Sequence, residues 1–516
     1  MKPPAIILLF VTFSSVPASA QTLSLYQQGL VALQQNHPAE ALAALTAAEQ
    51  ENPRDPAIRN FRGIALTQLG RGDDAAGEYR EAIRLDPQRV DAYRNLGHLE
   101  WTEGHPGPAR AALQKALELS PDDPYAHYYL GRVELDLKNY PDAMGHLDQS
   151  KSVWPQDADF DLQAAAGYAS LRRAADGRSL LARVQHFDLT NPQSVRLGAL
   201  RLACQQPEEG IAVFERLKTK FPNSEWAQFD LALAHLEARQ PAEAERIAHS
   251  IPGSNRSGAA WTVIAIAEAE LQRHDEAIRA FRSAAEIAPP EEDRWLNLTR
   301  ELMGQLHYVD AVTAAQQAVD HLPRSYALRL RLGAAYLKAA RYQEAEDVFR
   351  DLIAKGDPEP MSALGLAQVF MQEGRTGDAA EVLAEAQERL GAIFLLAYFR
   401  GIMLSRAVRP EEAVQQLREA VRLNPQSAEA YQWLGKAELR TLQVDQAILD
   451  LNQALRLDPR NQPARRLLVQ AYAIRKQPDQ ATKYLQEVKA GEVPKPMEDE
   501  TADFLFPAWE SPSIDP

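Results

Sequence analysis

Small, bulky apolar and proline positions recur along this chain at fixed offsets. Gly29, Gly63, Gly97 and Gly131 lie 34 residues apart. Twelve residues after each stands an alanine (Ala41, Ala75, Ala109, Ala143), four further on a bulky side chain (Leu45, Tyr79, Leu113, Leu147), and eight beyond that a proline (Pro53, Pro87, Pro121, Pro155). Gly333, Ala367, Gly401, Gly435 and Val469 resume the spacing of 34, and Ala165, Gly198, Ala232, Ala265 and Thr299 carry the frame between with two steps of 33. Fourteen repeats result, and the position twelve residues after each frame residue is Gly or Ala in every one. Two antiparallel helices joined by a short turn approach closely only where side chains are nearly absent, so each period predicts one helical hairpin. Proline closes the second helix, because it has no N–H and pushes its predecessor out of the α region.

The expected fold is all-α: an α-solenoid of about 14 helix-turn-helix repeats, each leaning on its neighbours, in place of the three or so globular domains that 516 residues would suggest. Residues 1–20 read as a signal peptide, with Lys2, the apolar run Ala5 to Phe13 and the small-x-small site Ala18-Ser19-Ala20. Nine apolar residues are too few to span a bilayer, which takes about 20 in a helix. Regular repeats 1–4 are expected over 21–155, degenerate repeats 5–7 over 156–257 and repeats 8–14 over 258–490. Residues 491–516, with seven acidic side chains, one Lys and five prolines, are expected to be a disordered tail. Its aromatic string Phe504 to Trp509 suits either a short ligand motif or a cap on the last hairpin.

The repeat resembles the tetratricopeptide repeat, whose pattern runs W-x2-L-G-x2-Y, then A-x3-F, then P. The third repeat carries Tyr93, Leu96, Gly97, Ala109, Leu113, Ala116 and Pro121; the thirteenth carries Tyr431, Leu434, Gly435, Ala447, Leu451, Ala454 and Pro459. Trp261, Ile264, Ala277, Phe281 and Pro289, and then Trp295, Leu298, Ala311, Ala318 and Pro323, are similar. The resemblance covers roughly 22–490 and implies a right-handed superhelix whose concave surface is lined by the first helix of each hairpin. Repeats 5–7 depart from the pattern around Asp188 to Pro192 and Ile251 to Gly253, where the proline is missing or displaced.

Composition narrows the function. With 56 Lys and Arg against 71 Asp and Glu, the net charge of -15 repels polyphosphate, so no nucleic acid is expected as partner. No zinc-protease, serine-hydrolase, P-loop or dinucleotide string occurs, and the repeats leave no room for a catalytic fold. No cofactor, metal or catalytic residue is expected, and the protein is read as not an enzyme. The single Cys204 reads as a small buried thiol. His98, His105, His127 and His146 occupy different repeat positions and so different faces. Asn297-Leu298-Thr299 matches a glycosylation sequon but falls inside a predicted helix.

Function is then expected in the groove. Arg94, Asn95, His98 and Trp101 of repeat three, with Tyr125, Tyr128, Tyr129 and Arg132 of repeat four, gather the aromatic, Arg and amide groups enriched at binding hot spots. Arg94 and Tyr128 are expected to serve capture rather than packing. A second patch comprises Asn297, Arg300, Tyr398, Arg406, Gln432, Lys436 and Arg440, suited to an acidic peptide. Corresponding positions in the degenerate repeats, such as Leu162, Ala199, Trp226 and Phe229, are apolar. The function expected is an exported, non-enzymatic scaffold for a protein or peptide, periplasmic or alternatively extracellular, with no transmembrane segment in the mature chain. The rival is a periplasmic adaptor in envelope assembly or polysaccharide export, and more distantly an accessory of a glycosyltransferase system.

Overall fold

Seven residues after each frame residue the backbone turns left-handed. Positive φ occurs at all fourteen of these positions, from Asn36 (60°) through Gly70 (72°) and Val408 (57°) to Lys476 (57°). One αL residue after a helix lets the next amides bond back to its last carbonyls, as Gly70 N does to Thr67 O (3.1 Å) and Arg71 N to Leu66 O (2.9 Å). The two steps of 33 keep this register, because Gln205 and Gln272 occupy the turn in their repeats.

The computed structural model describes residues 23–253, 256–357 and 359–491. Over these residues twenty-eight α-helices, two per period, run from α1 (Leu25–Gln34) to α28 (Pro478–Gly491), with no strand among them. The expectations for residues 1–20 and for the tail beyond Gly491 lie outside the described residues. None of the described helices is long and apolar enough to cross a membrane. The chain divides into two compact units, Met1–Ala238 and Arg239–Pro516.

In the first unit the frame glycines give close approach. A Cβ on Gly29, Gly97 or Gly131 would stand 2.5–2.7 Å from Leu45, Leu113 or Leu147, so the bulky residue sixteen positions later fills the space that each glycine leaves. The second helices begin on or beside a proline where one is available, as in α6 (Pro106–Leu119), and α4 (Gly72–Leu85) stops two residues before Pro87. Second helices differ in length: α8 (Tyr140–Gln149) and α10 (Ala174–Val184) have 10 and 11 residues against 14 in α4 and α6. Cys204 is buried, its Sγ against Gly177, and burial pushes its thiol pKa up.

In the second unit the same rule holds across hairpins as well as within them. The Phe349 ring of α20 (Tyr342–Ala354) lies against both Gly333 of α19 (Tyr326–Lys338) and Gly365 of α21 (Met361–Gln372). From Leu330 onward an apolar cluster extends to Ala437, and a smaller one follows from Leu439 to Ala471.

Candidate binding surface on the first helices

Three first helices of the first unit carry the candidate surface: α5 (Val90–Thr102), α7 (Pro124–Asp136) and α9 (Ala158–Ser170). Asp123 starts α7 by accepting the amides of Tyr125 (2.9 Å) and Ala126 (3.1 Å), which settles where the tyrosines face. Residues four apart then share a face, so Tyr125, Tyr129 and Arg132 align along α7 beside Trp101 and His98 of α5.

The rings and one cation meet. The Arg132 guanidinium lies 4.9 Å from the Trp101 ring centroid, 5.4 Å from Phe160 of α9 and 5.9 Å from Tyr128. Its Nη1 donates to the Tyr128 hydroxyl (2.9 Å), while its buried Nε makes no hydrogen bond. Tyr129 sits 4.4 Å from the His98 ring and 5.3 Å from Tyr128. Trp101 Nε1 donates to the Asp136 carboxylate (2.6 Å), fixing the indole plane. Burial drives the His98 pKa down to about 4, with the Arg132 charge adding to it, so the imidazole is neutral above that pH. Burial likewise pushes Tyr129 up to about 12 and raises Tyr128. The result is a half-buried shelf of neutral rings around one fixed cation: ring faces for apolar or proline-bearing side chains, and a guanidinium for carbonyl or carboxylate oxygens.

Two of the eight residues are tied down instead. Arg94 Nη1 donates to Asp123 at 2.6 Å, with side chains only 11% and 9% exposed, and its guanidinium lies over Tyr125 at 5.7 Å. Asn95 donates to buried Asn60 (3.0 Å), which in turn donates to Asp91 (2.9 Å). Both therefore lock consecutive first helices together. Asp123, Asn60 and Phe160 are not among the residues expected from the sequence. Asp123 is signalled by its place as an N-cap before Pro124; Phe160, in a degenerate repeat, carries no such mark.

The second patch is not one surface element. Asn297, on α17 (Glu292–Gly304), is 1% exposed and accepts from Arg300, so the sequon asparagine is inside a packed helix. Tyr398, on α23 (Phe394–Arg406), is buried, stacked on Phe394 at 5.5 Å and 11°, and burial raises its pKa. On α25 (Ala428–Arg440), Lys436 lies 4.2 Å over Trp433, and Arg440 donates to the Ser405 carbonyl. Gln432 is half-buried and Arg406 exposed. Of the apolar middle positions, Leu162 is buried in the core, whereas Trp226 is exposed beside Phe221.

Among the described residues one group has metal-ligand proximity: Glu245 and His249 of α14 (Pro241–Ser250) with Glu268 of α15 (Gly258–Glu270). The Arg273 guanidinium pairs with both carboxylates and supplies the positive charge there. The histidines of repeats three and four do not converge: His127 and His146 face each other at 2.9 Å, His105 pairs with Glu100, and His98 packs on Tyr129.

A tetratricopeptide-repeat profile matches residues 26–90, 94–158, 229–292, 296–360, 335–392, 364–428, 400–459 and 434–494, and a second matches 194–224. The chain belongs to the tetratricopeptide repeat family. Among characterised relatives of this tetratricopeptide-repeat protein, Cellulose synthase 2 operon protein C of Komagataeibacter xylinus is 23% identical over 507 positions, covering 81% of this chain and 38% of that one. Small glutamine-rich tetratricopeptide repeat-containing protein 2 of Mycosarcoma maydis is 30% identical over 104 residues, 20% of this chain and 30% of that one. Protein O-mannosyl-transferase TMTC1 of Mus musculus is 31% identical over 104 residues, 19% of this chain and 11% of that one. The chain thus spans 11–38% of the length of these three relatives. Among solved structures, yeast Tom70 aligns with TM-score 0.38 at 15% identity over 85% of this chain and 99% of that one.

Proposed function

We propose that this tetratricopeptide-repeat protein is an exported, non-catalytic scaffold that holds a protein or peptide segment across α5, α7 and α9. The observation carrying this reading is the half-buried Arg132 guanidinium among the rings of Trp101, Tyr128 and Phe160. A half-buried cation held among rings gains from a partner that brings an acceptor to the guanidinium and covers the rings. Trp101, Tyr128, Tyr129 and Arg132 are the anchors, and His98 backs Tyr129. Export rests on the first twenty residues, and the net charge of -15 favours a protein segment over nucleic acid. Cell fractionation with N-terminal sequencing tests export: a chain that stays in the cytoplasm with Met1 or Lys2 at its start contradicts it.

A second reading, adaptor in envelope assembly or polysaccharide export, is favoured by the long alignment to Cellulose synthase 2 operon protein C. Photo-crosslinking from position 101 in intact cells separates the two. Adducts with synthase or pore components support the adaptor, and adducts with a soluble protein support the general scaffold.

A further inference from the structure

Among the described residues, the last hairpin is open on one side. At the position sixteen residues after the frame residue, the thirteen preceding repeats bury their side chain to 4% exposure or less, from Leu45 to Leu451. In the fourteenth, Leu485 of α28 is 42% exposed. The earlier residues are covered from the following hairpin: Phe349 touches Gly365, and Leu451 shares an apolar cluster with Ala464, Leu468 and Ala471 of α27 (Gln462–Ile474). Ala481, four residues before Leu485 and on the same helical face, is half-buried, where the equivalent residues in the other repeats are buried. The position five after the frame residue is polar, Gly or Ala in the first thirteen repeats, yet it is Ile474 in the fourteenth, 50% exposed. At these places the fourteenth hairpin exposes apolar side chains that the other repeats bury or replace with polar or small ones, a face suited to being covered.

We propose that residues 492–516 of the same chain cover this face, with Phe504, Phe506 and Trp509 seated against α28. Charge selects this occupant. On a chain of net charge -15, α27, α28 and the turn between them carry Arg465, Arg466, Arg475, Lys476, Lys483 and Lys489 against Asp479 and Glu487. Residues 492–516 carry seven acidic groups against Lys495. Opposite signs on adjoining segments attract, most strongly at low salt. Reach is sufficient, since the thirteen residues from Gly491 to Phe504 span up to about 45 Å extended, longer than α28 itself. Tethering gives the tail an effective concentration that a separate partner lacks. The inference is independent of the binding reading for α5, α7 and α9.

Hydrogen exchange on the full-length chain tests it. Replacing Phe504, Phe506 and Trp509 together by Ser should speed exchange of α28 amides about tenfold and leave α5 to α7 unchanged. Lys483→Glu with Lys489→Glu, tail intact, should give the same direction of change, smaller at 1 M NaCl than at 0.05 M. Identical α28 exchange in wild type and the tail variant overturns the proposal. So does a dimer in sedimentation equilibrium that Leu485→Lys dissociates and the tail variant does not, since the face then belongs to a second copy.

Discussion

Gly63 and Tyr79 occupy one space: a Cβ on Gly63 would stand 2.5 Å from Cε1 of the Tyr79 ring. That ring is buried, and its hydroxyl is 3.1 Å from Thr67 Oγ1, so it has no room to retreat. Gly63→Ala should therefore destabilise the first unit by about 1–3 kcal/mol. Gly77, in the same hairpin, has nothing within 4 Å of its Cβ position, and Gly77→Ala should stabilise by roughly 0.5–1 kcal/mol through helix propensity. Urea unfolding of the two variants, read against wild type, should give opposite signs.

Val408 holds the left-handed turn between α23 and α24 (Pro410–Leu423) at φ 57°, with a β-branched side chain that is 79% exposed. The steric cost of αL for such a residue is not offset by burial. Val408→Gly should raise stability by about 1 kcal/mol, seen as a higher melting temperature of the second unit.

Glu438 is fully buried on α25, and burial pushes its carboxyl up to about 8 from an ordinary 4.5, although Arg418 Nη2 donates to it at 2.9 Å. Between those pH values the folded chain keeps a proton that the unfolded chain has released. Stability from this group is thus complete below about pH 4.5 and falls as pH rises through about 8. Glu438→Gln, which stays neutral, should narrow the melting-temperature difference between about pH 5.5 and 8.5 and melt higher than wild type at the upper value.

Arg94 was expected to serve capture, and the structure assigns it to a nearly buried ion pair with the N-cap of α7. Removing it leaves Asp123 desolvated without its partner. Arg94→Ala should cost about 3 kcal/mol, and Asp123→Ala on top of it should cost less than additively in a double-mutant cycle.

The repeat frame was legible because its signals are local and redundant: a glycine, a small residue twelve on and a proline each report one hairpin contact. The turn register was legible for the same reason, even across the steps of 33. The site was legible only by composition. Trp101, Tyr129 and Arg132 do meet, since the rule of four places them on first helices, but pairing across hairpins depends on helix offsets that no single repeat encodes. Arg94 therefore reaches Asp123 rather than a residue of its own helix, and Phe160, from a degenerate repeat, joins unannounced. In the second patch, residue type on a first helix did not separate groove from core: Asn297 and Tyr398 point inward, where buried polar groups need partners of their own.

In the function proposed above, α5, α7 and α9 present a binding surface built on Trp101 and Arg132. Its most direct measurement is affinity capture from the envelope and soluble fractions of the producing cells, by wild type and by Trp101→Ala, with melting temperatures recorded for both and Gly63→Ala as a packing control. A specific protein held by wild type and by Gly63→Ala is expected to be lost with Trp101→Ala, whose melting temperature should drop less than that of Gly63→Ala. An unchanged set of captured proteins with Trp101→Ala would contradict it and leave the aromatic shelf as packing alone.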